Sequence, residues 1–168
     1  LSMVVLPEPE PPEITTFIRE NLAPLTEEGL HLVGDMIRER PIMGAMTLSA
    51  RVAIVQHADG VVGTVSVMST AQGNVSATVE FPAELRDGRV LDVNNTETPA
   101  TFAVRQGHVT YRLPQVRDPR RLYRIFRLML RRRFGAATLR RREVAADPAR
   151  YMAELYDEAH HWQVEAGY

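Results

Sequence analysis

Residues 61–81 read VVGTVSVMSTAQGNVSATVEF. Val65 and Val67, then Val75, Ala77, Val79 and Phe81, recur at every second position, and Gly73-Asn74 stands between the two runs. A period of two sends alternate side chains to opposite faces of a strand, and a glycine-containing break of this length joins antiparallel neighbours. The stretch therefore predicts a β-hairpin, and the same pattern extends from it in both directions. Upstream, from Thr47, Val52 and Ile54 lead to Asp59-Gly60. Downstream, Val90 to Val93, Phe102 with Val104, and Val109, Tyr111 and Leu113 follow, punctuated by Asp87-Gly88 and Gly107. Six short β-rich runs with tight turns predict an antiparallel meander, because a parallel crossover needs a dozen or more residues. Only the link that opens with Asn94, Asn95, Thr96, Glu97, Thr98 and Pro99 is longer, which suits a change of sheet or a binding loop.

Helical signals flank the meander. On the N-terminal side, Glu13 to Leu22 predicts one short helix. A second is expected to open with Thr26 as N-cap, carry Glu27 and Glu28 in its first turn, place Leu30, Val33 and Ile37 on one face, and stop before Pro41. His31 beside that face reads as a partly buried structural histidine. Residues 1–12 form an acidic, proline-rich arm (Pro7, Glu8, Pro9, Glu10, Pro11, Pro12) that the proline rings hold extended. On the C-terminal side, Asp118-Pro119 and Asp147-Pro148 each set a capping carboxylate before a proline at the first helical position, where the missing amide proton costs nothing. The expected class is α+β, with two N-terminal helices, a six-stranded antiparallel meander and two C-terminal helices packed on one face. Residues 13–168 are expected to make one domain, a size that buries most of its apolar surface.

Composition excludes several chemistries. The 168 residues include no cysteine and no lysine, so disulfides, thiolate ligands, Schiff bases and lysine bases are absent, and arginine alone supplies cations. The missing lysine reads first as a GC-rich coding sequence, ahead of avoidance of lysine-directed tagging or acylation. No apolar run approaches the roughly 20 residues that cross a bilayer, and no targeting segment is evident, so a cytoplasmic location is expected. No nucleophile elbow surrounds the serines, and no glycine cluster cradles a phosphate; no cofactor is expected.

Charge is segregated. Twelve of the twenty arginines lie between Arg112 and Arg142, where Asp118 is the single acid, so that window carries about +11 and the remainder about −12 in a chain of net charge −1. Winding residues 120–134 at about 100° each puts Leu122, Ile125, Phe126, Met129 and Leu130 on one side and Arg120, Arg124, Arg127 and Arg131 on the other. Like charges spaced i, i+4 repel by a few tenths of a kcal/mol per pair, so something must compensate them. Arg132 and Arg133, then Arg140 and Arg141, extend the basic surface, and Leu128 projects among the arginines. Three fates are compatible with this stripe. The protein's own acids, notably Glu154, Asp157, Glu158 and Glu165, neutralise it; nucleic-acid phosphates bind it; or an acidic protein or anionic surface does so, with Leu128 as anchor. The sequence favours a non-enzymatic binding or adaptor module that engages an anionic partner, nucleic acid ahead of acidic protein; the opposed charge blocks also suit self-association.

An enzymatic alternative rests on His57 and His108. Each sits beside a turn, and a curled sheet would bring them together as acid and base of a small hydrolase or isomerase. A metal site is conceivable where Asp157, His161 and Glu165 fall one helical turn apart, whereas the adjacent His160 and His161 point about 100° apart and chelate poorly. Trp162 shares a face with Tyr151, Leu155 and Ala159 and reads as core packing.

Overall fold

The computed structural model describes residues 12–41, 47–70, 75–97, 107–135 and 146–151, together with 139, 153, 154, 161 and 165. The elements are helix α1 (Pro12–Glu27), strands β1 (Leu30–Pro41), β2 (Thr47–His57), β3 (Val62–Thr70), β4 (Val75–Glu84), β5 (Val90–Asn94) and β6 (His108–Arg112), and helix α2 (Pro119–Phe134). All six strands form one sheet in the order β1-β2-β3-β4-β5-β6. The class is α+β, and none of the described helices is long and apolar enough to cross a membrane. The proline-rich arm, residues 1–11, lies outside the described residues, as does the Phe102 and Val104 run.

Two parts of the expected strand order and pairing need correction. The second N-terminal helix is instead the edge strand β1, paired antiparallel with β2 from Leu30↔His57 to Pro41↔Thr47. Thr26 does not cap a new helix; it belongs to the last turn of α1, where its hydroxyl donates to the Leu22 carbonyl at 3.0 Å. The apolar spacing misled because a register shift between Leu32 and Gly34 resets the alternation. Leu30 joins the main core while Val33 packs on the opposite side of the sheet, so two faces of a bulged strand imitate one face of a helix. The other correction concerns the last strand pair. β1 to β5 are antiparallel neighbours, but β5 and β6 run parallel, from Val90↔His108 to Asn94↔Arg112. The long link returns to the same sheet. Its start is pinned by Asn95, whose Oδ1 accepts from the Val79 amide at 2.7 Å and whose Nδ2 donates to the Val116 carbonyl at 3.3 Å.

Tight turns occur where glycine was needed. Gly60 (φ 93°) and Gly88 (φ 83°) take up left-handed conformations after Asp59 and Asp87, whose carboxylates accept the amides of Val61 and Arg89.

The two faces of the sheet are covered differently. On the front, α1 and α2 pack over Ala53, Val55, Val65, Val67, Val79, Phe81, Leu91 and Val93, contributing Ile14, Ile18, Leu25, Leu122, Tyr123 and Phe126. Phe81, Tyr123 and Phe126 form an aromatic triad with centroids 5.3 to 6.2 Å apart, the spacing at which tilted and offset rings attract. Gly63 makes this possible, because a Cβ there would lie 2.6 Å from the Phe81 ring. On the back, a helical segment starts at Pro148, capped as expected by Asp147, whose carboxylate accepts from the Arg150 amide at 2.9 Å. A Cβ on Gly34 would lie 2.5 Å from Pro148, and Tyr151 packs with Val52, Ile54 and Val62. The helices following β6 therefore occupy opposite faces of the sheet, not one.

Candidate functional site

Helix α2 begins as its sequence predicts: Asp118 caps it, accepting from the Arg120 amide at 2.9 Å, and Pro119 stands at the first position. Leu122, Tyr123 and Phe126 are buried against the sheet, and Ile125, Met129 and Leu130 pack at the margins of that core. The opposite side is basic, but its charge is not uniformly available.

Three of the four stripe arginines already hold carboxylates. Arg120 binds Glu27 and lies 3.9 Å from Glu28; Arg124 donates to Glu28 at 2.6 and 3.0 Å; Arg127 binds Asp59. Arg127 also lies over the Tyr123 ring, 5.9 Å from its centroid. These acids come from the end of α1 and the β2–β3 turn, which the fold places along one flank of α2. They supply the compensation that the i, i+4 repulsion demanded. They are not the acids the sequence nominated. Glu154 pairs with Arg150 at 2.7 Å, Glu165 is exposed, and Asp157 and Glu158 lie outside the described residues. Exposed ion pairs of this kind stabilise by only about 0.2–1 kcal/mol each, so their main consequence is to cancel the field along that flank.

What remains basic is a neighbouring sector. Arg121, Arg131 and Arg132 are exposed and have no acidic partner among the described residues, and Arg133 donates to the Tyr111 hydroxyl at 3.2 Å. Leu128 stands among them with 40% of its surface exposed, half a turn round from the buried line. Arg140 and Arg141 lie outside the described residues.

The Asp59 carboxylate illustrates the local electrostatics. Partial burial pushes its pKa up, but hydrogen bonds from Arg127, His57 and the Val61 amide, with the Arg127 charge, outweigh this and hold it below the ordinary carboxylate value. His57 Nδ1 lies 2.7 Å from Asp59 Oδ1 and 3.3 Å from the Asp59 amide nitrogen. The other edge of the ring faces the α1–β1 turn, where a Cβ on Gly29 would lie 3.2 Å from Nε2. His108 begins β6, four strand spacings from β2, or about 19 Å across the sheet. The order of strands thus separates the two imidazoles of the enzymatic alternative. A small depression on the back face, lined by Gly60, Val62, Pro82, Glu84, Leu139 and Tyr151 among others, contains neither. Of the suggested metal ligands, His161 and Glu165 are exposed helical residues and Asp157 lies outside the described residues. Among the described residues, no three His, Asp or Glu side chains are placed to hold an ion.

A second polar constellation had no counterpart in the sequence reading. On the back of the sheet, Glu80 (β4) and Asp92 (β5) are hydrogen-bonded to each other. Asn94 Nδ2 donates to Asp92 Oδ2 at 2.8 Å, and Thr110 of β6 also hydrogen-bonds Asp92. Burial raises the pKa of both carboxyls, and the neighbouring Glu80 charge pushes Asp92 further up, well above its usual range.

No protein-family model, curated protein or solved structure matches this chain.

Proposed function

We propose that the chain is a non-enzymatic binding module that engages an acidic partner protein through the outward sector of α2. Arg121, Arg131 and Arg132 carry the charge, Leu128 is the apolar anchor, and Arg124 stands at the margin. The observation behind this reading is the exposure of Leu128 within a basic sector where the described residues supply no neutralising acid. An acidic protein segment with an apolar side chain matches both features, whereas a phosphate backbone offers nothing for Leu128. Tyr123 is buried in the aromatic triad and Phe126 is wholly inside, so neither serves as a stacking platform for bases.

A triple variant and a double variant test the assignment: Arg121→Gln, Arg131→Gln, Arg132→Gln, which is the triple, and, as control, Arg120→Gln, Arg127→Gln. Titration with a glutamate-rich helical peptide carrying one leucine should show binding that the triple and Leu128→Ala each abolish and that the control retains. Tight binding of a DNA duplex, steeply salt-dependent and indifferent to Leu128→Ala, would assign the surface to nucleic acid instead.

A further inference from the structure

The carboxyl pair on the back of the sheet serves no evident purpose in partner binding, and its surroundings bear on what it does. Along the β4–β5 register, Glu80 opposes Asn94 and Pro82 opposes Asp92, so the two acids are diagonal neighbours on one face. Thr64 of β3 opposes Glu80 from the other side, and Asp92 is in register with Thr110. Asp92 Oδ1 is shut off from solvent with no hydrogen-bond partner, and so is the Thr78 hydroxyl two residues before Glu80. Among the described residues, the other titratable or charged groups on this face are Glu84, His108 and Arg112, and none of them is without an interaction. On the C-terminal segment that packs against the back, Arg150 and Glu154 pair with each other, and His161 and Glu165 are exposed. Among the described residues, the groups hydrogen-bonded to the pair are the Asn94 side-chain amide and the Thr110 hydroxyl, both neutral.

Two ionised carboxylates side by side, with neutral donors on them among the described residues and one oxygen shut off from solvent, repel strongly. A proton held between them turns the repulsion into a hydrogen bond. We propose that Glu80 and Asp92 share one proton and act as a proton-operated latch on the β4–β5–β6 side of the sheet. With the proton bound, the pair ties β4 to β5, and Asp92 ties β5 to Thr110 of the five-residue edge strand β6. When the proton leaves to solvent, the two charges push β4 and β5 apart and the hold on β6 loosens.

The sign follows from linkage. Carboxyls titrating higher in the folded than in the unfolded chain contribute stability that is complete below the unfolded value and is lost as pH rises through the folded one. If opening releases one proton, local opening should increase about tenfold per pH unit inside that window. Amide hydrogen exchange on the full chain reads this directly, corrected for intrinsic rates and followed between about pH 5 and pH 8, where ordinary carboxyls are already ionised. Protection of Val109 to Arg112 should fall with rising pH relative to β2 and β3. In Glu80→Gln, whose amide can donate to an ionised Asp92, the extra slope should vanish. Carbon-detected titration of the unmodified protein checks the same point without a variant, and Asp92→Asn supplies a second one. Protection in β6 that is independent of pH, or carboxyls that both titrate at ordinary values, would overturn the latch. So would a millimolar calcium addition that restores protection at high pH, because the pair would then be a cation site.

Discussion

The two faces of this sheet are built on opposite principles. The front buries an apolar layer under two helices and places its charges at the rim, where Arg120, Arg124 and Arg127 meet Glu27, Glu28 and Asp59. The back is apolar only over β1 to β3, where Pro148 and Tyr151 pack; over β4 to β6 it carries Glu80, Asp92, Asn94 and Thr110. Carboxylates therefore respond to pH in opposite senses on the two sides. Asp59, paired with a cation, titrates low, and its contribution is lost as acid is added; Glu80 and Asp92, paired with each other, titrate high, and theirs is lost as acid is removed. An acidic residue stabilises or strains a fold according to what faces it, which composition does not reveal.

The largest expected difference between the faces is in packing. Phe81→Ala deletes a wholly buried ring from the centre of the front core and should cost about 3–5 kcal/mol in urea unfolding. Tyr151→Ala on the back should cost less, about 1.5–3 kcal/mol, because its cluster is smaller. Equal losses would mean that the C-terminal segment is as integral as α2. Next come the glycines that admit close approach. Gly63→Ala drives a methyl into Phe81 and should destabilise the whole molecule by about 1–3 kcal/mol. Gly34→Ala instead meets Pro148, so its effect should be local, seen as faster proteolysis beyond residue 148 with a smaller change in the global transition. The smallest effects concern the rim. Glu28→Gln should change stability by about 0.2–1 kcal/mol, less at high salt, while strengthening binding of an acidic peptide by unmasking Arg124. Asp59→Asn should flatten the acid limb of the stability curve and leave the alkaline limb unchanged; a shift in the alkaline limb would show that the two faces are coupled.

Much of this architecture was legible in the sequence because the deciding signals are local. Alternation marks β2 to β5, Asp-Gly pairs mark the β2–β3 and β4–β5 turns, and Asp-Pro pairs mark the starts of α2 and the C-terminal segment. β1 was illegible because a single extra residue at its bulge shifts the phase of the pattern, and Leu30, Val33 and Ile37 then fit a period of 3.6. What completes β1 is its pairing with β2, whose register partners lie up to 27 positions away in the chain. The acids on the arginine stripe were illegible for the same reason. Asp59 and Arg127 are 68 residues apart, and Glu28 and Arg124 are 96 apart. Glu27 and Glu28 were read as favourable charges at the start of a helix, whereas they close α1 and face α2. A hint was present in the repulsion itself, since four arginines in line require nearby acids, but a linear pattern does not say which. The Glu80–Asp92 pair was hidden by its own regularity: polar residues at alternate strand positions look like an ordinary wet face, and only the register across β4 and β5 puts them in contact.

The parallel seating of β6 also sets an order of assembly. Strands β1 to β5 pair with neighbours adjacent in the chain and can close one after another as the polypeptide emerges during synthesis. The sixth must wait for a 13-residue excursion, and the apolar front layer, covered up to that point by α1 alone, is completed only when α2 follows it. Until α2 docks, the part of the layer over β4 and β5, with Phe81 and Leu91, lacks its cover, and a chain that ends before α2 is expected to expose it to aggregation or to a chaperone.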